Sequence, residues 1–127
     1  MALYTDIVEV VAPSEAQEGQ VVNITVKIKN LYSATIGIML GGALEYGVSP
    51  WPAITFPYNY DNVAAGATVS FAGNFIMPNK AVNIHAYSYW YGADGLWHFD
   101  DEEAKDINLG AVTPEFSNFA VSSLEKV

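Results

Sequence analysis

Alternation between apolar and polar residues dominates this chain. The clearest case is residues 22–29, where Val22, Ile24, Val26 and Ile28 are apolar and each is followed by a polar residue. Successive side chains of a strand point to opposite faces, so this segment predicts a strand with one buried and one solvated face. The same period of two predicts further strands at residues 7–11, 34–40, 67–77 and 82–91, and a last strand that closes at 107–109.

Turn-forming residues separate these segments at 18–20, 41–42, 65–66, 78–80 and 94–95. Short strands with turns about every 8–12 residues are typical of an antiparallel sandwich or barrel. Three prolines, Pro50, Pro52 and Pro57, predict that residues 49–60 form a long loop with at most an edge strand. We therefore expect an all-β domain over residues 1–110, followed by a tail over 111–127.

The tail has a different pattern. Thr113 and Pro114 suit a helix start, and Phe116, Phe119 and Leu124 fall near helical spacing. The same residues are also compatible with an extra strand, and the two interpretations stay open. Large apolar side chains near a terminus need cover from the domain or from a neighbour, so the tail is a candidate assembly segment.

Composition limits the choice of partners. The 127 residues are 51% hydrophobic, which is enough for the core of one domain, and five lysines against fourteen acidic residues give a net charge of −9 with no arginine. Such a field repels phosphate, so neither nucleic acid nor anionic lipid is an expected partner. No apolar run is long enough to insert in a membrane, and no signal peptide is apparent, so the location stays open. With no cysteine, disulfides and thiolate chemistry are excluded.

A two-residue turn at residues 94–95 sets an expected register for the last hairpin. It pairs Tyr91 with His98, Trp90 with Phe99, and Tyr89 with Asp100. Trp90 and Phe99 would then cap the core. The opposite, outer face would be rich in tyrosine and acid, a combination suited to binding proteins or sugars; its expected members are His85, Tyr87, Tyr89, Tyr91, His98, Asp100 and Glu102.

Histidine and carboxylate chemistry finds little support. His85 and His98 are the two histidines. The predicted hairpin separates them by about 20 Å at ~3.3 Å per residue, too far to share a metal. Asp100, Asp101 and Glu102 belong to an acidic run and are weak calcium candidates, because consecutive strand residues do not converge unless the chain bulges. A solvated edge that opposes aggregation is the favoured interpretation. We expect no enzyme, no resident metal and no cofactor.

Tryptophan raises a carbohydrate hypothesis, because indole faces can stack on sugar rings. Trp51 lies between two prolines in the predicted loop and is the expected exposed platform, with Trp97 as a second candidate.

Two stretches carry a family resemblance. The first is Gly19, the alternating residues 21–29 and Asn30; the second runs from residues 75–78 through Ile84 and Tyr87 to residues 95–97. Together they resemble the immunoglobulin-like domains of the cell-adhesion-related kind known as CARDB. The resemblance implies a sandwich of about seven antiparallel strands with a structural or adhesive role and no catalytic residues. A solitary sandwich of this type is also similar to virion accessory proteins of tailed phages.

The expected function is therefore a non-enzymatic structural or interaction module of a cell-surface or virion assembly. Its partners would be proteins or further copies of itself. Two alternatives stay open: a carbohydrate-binding module that uses exposed tryptophan and tyrosine, and a calcium-dependent adhesin.

Overall fold

The computed structural model describes residues 3–47 and 50–110. The predicted tail, with Phe116, Phe119 and Leu124, lies outside the described residues. Within the described part the chain forms eight strands: β1 (Thr5–Val11), β2 (Glu15–Ala16), β3 (Val21–Asn30), β4 (Ile36–Glu45), β5 (Tyr60–Val63), β6 (Thr68–Ile76), β7 (Val82–Tyr91) and β8 (Trp97–Leu109). Over the same residues, no helix is long and apolar enough to span a membrane.

The strands form two sheets. One has the order β1-β3-β6 and the other β2-β8-β7-β4-β5. All neighbours are antiparallel except the two-residue strand β2, which pairs parallel with the end of β8. The predicted all-β sandwich is confirmed, and β2 brings its strands to eight instead of about seven.

The core lies between the sheets. Val22, Ile24, Val26 and Ile28 of β3 are fully buried, as their alternation predicts. The buried side chains form two clusters, one at each end of the sandwich. Phe56, from the proline-containing loop, packs against both clusters and joins them.

Gly42 and Gly73 make room for the Phe56 ring. Gly42 belongs to the pair of glycines at which the sequence predicts a turn. Gly41 and Gly42 lie inside β4, so the turn expected at 41–42 is wrong. A Cβ on Gly42 would lie 2.8 Å from the Phe56 ring, and one on Gly73 of the facing sheet 2.5 Å from it. These glycines therefore serve close packing between the sheets.

The last hairpin differs from its predicted register. Three residues, 93–95, lie between Gly92 and Leu96, and Gly95 has a φ of 78°. This is a three-residue loop whose final glycine adopts the left-handed conformation. Tyr91 consequently pairs with Trp97, and Trp90 with His98. A bulge between Ser88 and Tyr89 then restores the expected register.

That shift exchanges the two faces of β8 near the hairpin. Phe99, expected in the core, is 56% exposed on the outer face, whereas Asp100, expected outside, is 4% exposed. His98 also leaves the predicted outer face, since it stacks on Trp90 at 4.5 Å between ring centroids. Trp90 itself, expected to cap the core, is half-buried and packs against Tyr4, with 4.2 Å between ring centroids. A one-residue change in register reverses every side chain until a bulge corrects it.

The bulge points Asp100 and Asp101 at β1. The Asp100 carboxylate accepts hydrogen bonds from the backbone N–H groups of residues 3, 4 and 5 at 2.7–3.1 Å and from the Thr5 hydroxyl at 2.6 Å. Asp101 accepts one from the Ile7 N–H at 3.0 Å. The expected solvated acidic edge is therefore wrong at these positions, because both carboxylates fasten the edge of one sheet to the other.

Removing the Asp100 charge should destabilise the fold. Burial opposes ionisation of Asp100, but the hydrogen bonds from Thr5, Leu3 and Tyr4 outweigh it and lower its pKa below the ordinary 3.8. Its contribution is therefore present above the unfolded pKa and is lost as pH falls through the folded pKa. Asp100→Asn should cost about 2–3 kcal/mol at pH 7, because an amide NH₂ would face backbone donors.

Urea denaturation at pH 7 and pH 3 measures this effect, with the exposed Glu103→Gln as the control. The difference between wild type and Asp100→Asn should narrow at pH 3. An equal difference at both pH values would contradict the assignment.

A methyl group at Gly73 should also destabilise the protein. Its Cβ would lie 2.5 Å from the Phe56 ring and 2.8 Å from the Thr55 carbonyl oxygen, which is backbone and cannot rotate away. Gly73→Ala should cost about 1–3 kcal/mol by overpacking. Gly47→Ala is the matched control, because a Cβ there has no neighbour within 4 Å in the described part of the chain. Equal unfolding midpoints for the two variants would contradict the packing argument.

Candidate functional site

The outer face of the five-stranded sheet collects most of the sequence-predicted site residues. Strand β7 lies at its centre between β8 and β4. Val82, Ile84, Ala86 and Ser88 of β7 are buried, so the alternate residues face outward. Those residues are His85, Tyr87 and Tyr89, which are half-buried, and Tyr91, which is exposed.

Aromatic contacts continue across this face from strand to strand. Phe99 of β8 lies 6.2 Å from Tyr87 and 5.9 Å from Tyr89 between ring centroids. Closer to the hairpin, Trp97 lies 5.1 Å from Tyr91 and 5.6 Å from Tyr60 of β5. We call the outward-facing residues Tyr60, Tyr87, Tyr89, Tyr91, Trp97 and Phe99 the aromatic face.

Strand β4 lowers the middle of this face. Its outward positions include Gly37, Met39 and Gly41, between the tall side chains of β7 on one side and those of β5 on the other. The Tyr89 ring leans over Gly41, 3.5 Å from where a Cβ would be. Towards Gly37 a groove of about 610 Å³ stays open, lined by Gly37, Met39, Asn59, Tyr60, Asn62, Tyr91 and Trp97.

Trp97 depends on Gly37 for its position. The Cη2 atom of the indole lies 3.3 Å from where a Gly37 Cβ would be, so the ring reaches from β8 across β7 to β4. Gly37 pairs in turn with Asn62 of β5. The Trp97 indole, the Tyr91 phenol and the Asn62 amide thus lie on successive sides of Gly37 across the sheet. The edge of the indole forms one wall of the groove.

Trp51 is not part of this groove. Its indole stacks on His85, with ring centroids 4.8 Å apart and an interplanar angle of 15°. It is half-buried, so the predicted exposed platform in the proline loop has one face covered by imidazole.

His85 is held between two carboxylates. Its Nε2 lies 2.8 Å from Glu45 and its Nδ1 lies 2.9 Å from Glu102. An ionised carboxylate only accepts, so both contacts are hydrogen bonds only when both ring nitrogens carry a proton. Partial burial lowers the pKa of His85, but the hydrogen bonds and charges of Glu45 and Glu102 raise it by more, to a net value above the ordinary 6.5.

The other sequence-predicted polar residues go elsewhere. His98 pairs with Asp94 at 2.8 Å in the hairpin loop, away from the carboxylates that hold His85. Its hydrogen bond to Asp94, together with the Leu96 N–H, lowers the pKa of Asp94 below 3.8. Of the calcium candidates, Asp100 and Asp101 bind β1, and Glu102 binds His85. Among the described residues, no group of three histidine or acidic side chains could hold a metal ion.

Sequence reasoning missed five members of the groove: Gly37, Met39, Asn59, Tyr60 and Asn62. Tyr60 and Asn62 have the spacing of one strand face, but β5 is only four residues long and follows a proline-rich loop. Their position beside Gly37 and Met39 is set by pairing between β4 and β5, which local alternation does not specify.

The contacts of His85 with Glu45 and Glu102 should make the free energy of unfolding depend on pH. Because the folded pKa is raised, the stabilisation is complete below the unfolded pKa and is lost as pH rises through the folded value. Wild-type protein should therefore lose a few degrees of Tm more than His85→Gln between pH 6 and pH 8.5, the shift expected for about 1 kcal/mol. Thermal unfolding of both proteins at matched ionic strength measures it. Parallel Tm profiles for the two proteins would contradict the assignment of a protonated His85 that donates to both Glu45 and Glu102.

Comparisons with known proteins show similarity of structure. No family model matches the sequence. No curated protein matches it either. Among solved structures, the chain is similar to the CARDB domain of a Pyrococcus furiosus protein in complex with di-metal ions, with a TM-score of 0.59 and 9% identity over 86% of this chain and 91% of that one.

Two further structures share the fold. The Pseudomonas fluorescens alkylpurine DNA glycosylase AlkC, solved with DNA containing an abasic site analog, has a TM-score of 0.63 and 12% identity over 87% of this chain. This chain spans 32% of the glycosylase chain. A chain of the complex between human zinc α2-glycoprotein and prolactin-inducible protein has a TM-score of 0.55 and 8% identity, over 83% of this chain and 97% of that one. At these identities the comparisons establish the fold, an immunoglobulin-like β-sandwich.

Proposed function

We propose that this protein is a non-enzymatic binding module that recognises its partner through the aromatic face. One observation carries the proposal: the two outer faces of the sandwich differ in kind. The described strands β1, β3 and β6 contain two aromatic residues, Phe71 and Phe75, and both point into the core. Every exposed or half-buried aromatic residue in the described strands therefore belongs to the five-stranded sheet.

Aromatic side chains on a solvated sheet need an explanation beyond folding. A sheet that only covers a core can carry small polar residues outside, as β3 and β6 do with Thr25, Ser70 and Asn74. Tyrosine and tryptophan offer a large contact area with few rotatable bonds and a polar atom for hydrogen bonding, which is why they are enriched at binding surfaces. The aromatic face has this composition.

The polar groups of the domain support binding over catalysis. His85 is engaged by two carboxylates and His98 by Asp94, while Asp100 and Asp101 accept hydrogen bonds from β1. These side chains serve the architecture. The groove beside Trp97 has no acid, base or hydroxyl nucleophile among its lining residues other than two tyrosines.

The proposed setting is an assembly at a cell or virion surface, where the domain acts in decoration or adhesion. Its resemblance to CARDB domains and its net charge of −9 support this setting, because a strongly acidic domain stays soluble at high local concentration. The partner is a protein, a further copy of the chain, or a glycan.

Paired substitutions on the two faces test the proposal. Tyr87→Ser with Tyr89→Ser alters the aromatic face. Val21→Ser with Ile76→Ser removes two exposed apolar side chains that pair with each other on the opposite face. Self-association by sedimentation and binding to an array of immobilised glycans should be measured for both variants.

Self-association of the wild-type protein should weaken at least tenfold in the tyrosine variant and stay unaltered in the control variant. Binding to any immobilised glycan should also stay unaltered in the control variant. Loss of association in the control variant alone would contradict the proposal. So would the absence of any association in both assays.

A further inference from the structure

We infer that the groove beside Trp97 binds a neutral saccharide, with the apolar face of a sugar ring against Trp97 and its hydroxyls towards Asn59 and Asn62. This inference rests on the proposed function and assigns a ligand class to one part of the aromatic face. The groove has an apolar wall, a polar rim and no charged residue in its lining.

The wall and the floor are built for a flat, partly apolar ring. Trp97, Tyr91 and Tyr60 surround the opening, and the two tyrosines are each 48% exposed. Gly37 and Met39 form the floor, and the missing side chain at Gly37 gives the groove its depth. A volume of about 610 Å³ lies within the range of about 300–1,000 Å³ typical of small-molecule sites, which are mostly apolar with a few placed polar groups.

The rim carries two amides. An amide group both donates and accepts, and so does each hydroxyl of a sugar, whereas a carboxylate only accepts and an ammonium only donates. The Asn62 side chain makes no hydrogen bond within the described residues, and that of Asn59 makes one long contact, 3.4 Å to the Leu40 carbonyl oxygen. Both amides therefore keep donor and acceptor capacity for a ligand.

Charge selects against acidic ligands. The lining residues include no aspartate, glutamate, histidine or lysine, and Asp61 lies between Tyr60 and Asn62 on β5. In a chain of net charge −9 with no arginine, a sulfated, phosphorylated or carboxylated sugar would meet repulsion, and no lysine lines the groove to offset it. A neutral saccharide avoids this repulsion.

A peptide fits the groove less well. The groove lies on the face of the sheet, where β4 already pairs with β7 on one side and β5 on the other. A peptide backbone above β4 would find the N–H and C=O groups of that strand already paired, and the free strand edge beside the groove is that of β5, which is only four residues long. Pairing with a free strand edge is the usual basis of peptide capture by sheets. Sugar hydroxyls at the rim stay accessible to the amides and to water.

The test begins with a panel of neutral oligosaccharides of glucose, mannose, galactose and N-acetylglucosamine, with polygalacturonate as the acidic comparison. Binding should be followed by titration calorimetry and by the Trp97 indole N–H signal in NMR, assigned through its absence in Trp97→Phe. We expect at least one neutral oligosaccharide to bind and to shift this signal, and polygalacturonate to leave it unchanged.

Two variants locate the site. Trp97→Ala should weaken binding at least tenfold by removing the stacking wall. Asn62→Asp should weaken it at least fivefold, because an exposed isosteric carboxylate loses the amide donors; it also keeps the test valid if Trp97→Ala folds poorly. Asn23→Asp on the outer face of β3 adds the same charge at a distance and should leave the affinity unchanged.

Three results would overturn the inference: no neutral saccharide binds, binding is unaltered in both Trp97→Ala and Asn62→Asp, or a peptide or protein shifts the Trp97 signal while saccharides do not. The proposed function fails differently. If saccharides do not bind but the Tyr87 and Tyr89 substitutions abolish self-association, the aromatic face remains the recognition surface and only its ligand class is wrong.

Discussion

The contact between the Asp100 carboxylate and the first strand is the constraint on which the rest of the structure depends. Four donors from residues 3–5 form hydrogen bonds to this one buried side chain, and Asp101 accepts a fifth hydrogen bond, from the Ile7 N–H. The edge of β1 faces β8 across the two sheets, so these N–H groups have no neighbouring strand to pair with. The Thr5 donors are buried and the others are part-buried, so they need partners within the protein, and the two carboxylates supply them.

The bulge that delivers Asp100 to β1 also shapes the aromatic face. By inserting one residue opposite the junction of Ser88 and Tyr89, it lets Phe99 face outward while Asp100 and Asp101 face β1. Phe99 then fills the space between Tyr87 and Tyr89, and Trp97 comes to lie beside Tyr91. Stability and the candidate recognition surface thus share one local departure from regular pairing, as bulges near functional sites often do.

Glycine plays a matching part on the neighbouring strand. Strand β4 has small residues on both faces, and each set accommodates an aromatic ring: Gly42 admits Phe56 to the core, and Gly37 admits Trp97 to the outer groove. The groove therefore exists because the strand between two aromatic walls lacks side chains at the right positions. Its amide groups come from Asn62, which the short edge strand β5 positions beside Gly37, and from Asn59, just before that strand.

Local alternation by itself determined the longer strands of the sandwich, the buried face of β3, and the outward direction of His85, Tyr87, Tyr89 and Tyr91, because the period of two is a property of each strand alone. The short strands β2 and β5 lay outside that pattern. Pairing between strands decided the rest. Gly41 and Gly42 resemble a turn until Phe56 fills the space above them, and Asp94 with Gly95 resembles a two-residue turn until Ala93 joins the loop. The destinations of Phe99, Asp100 and His98 depended on a register that one bulge reverses. Such contacts join residues far apart in the chain, and their energies are absent from any short segment of it, so only the tertiary structure could decide them.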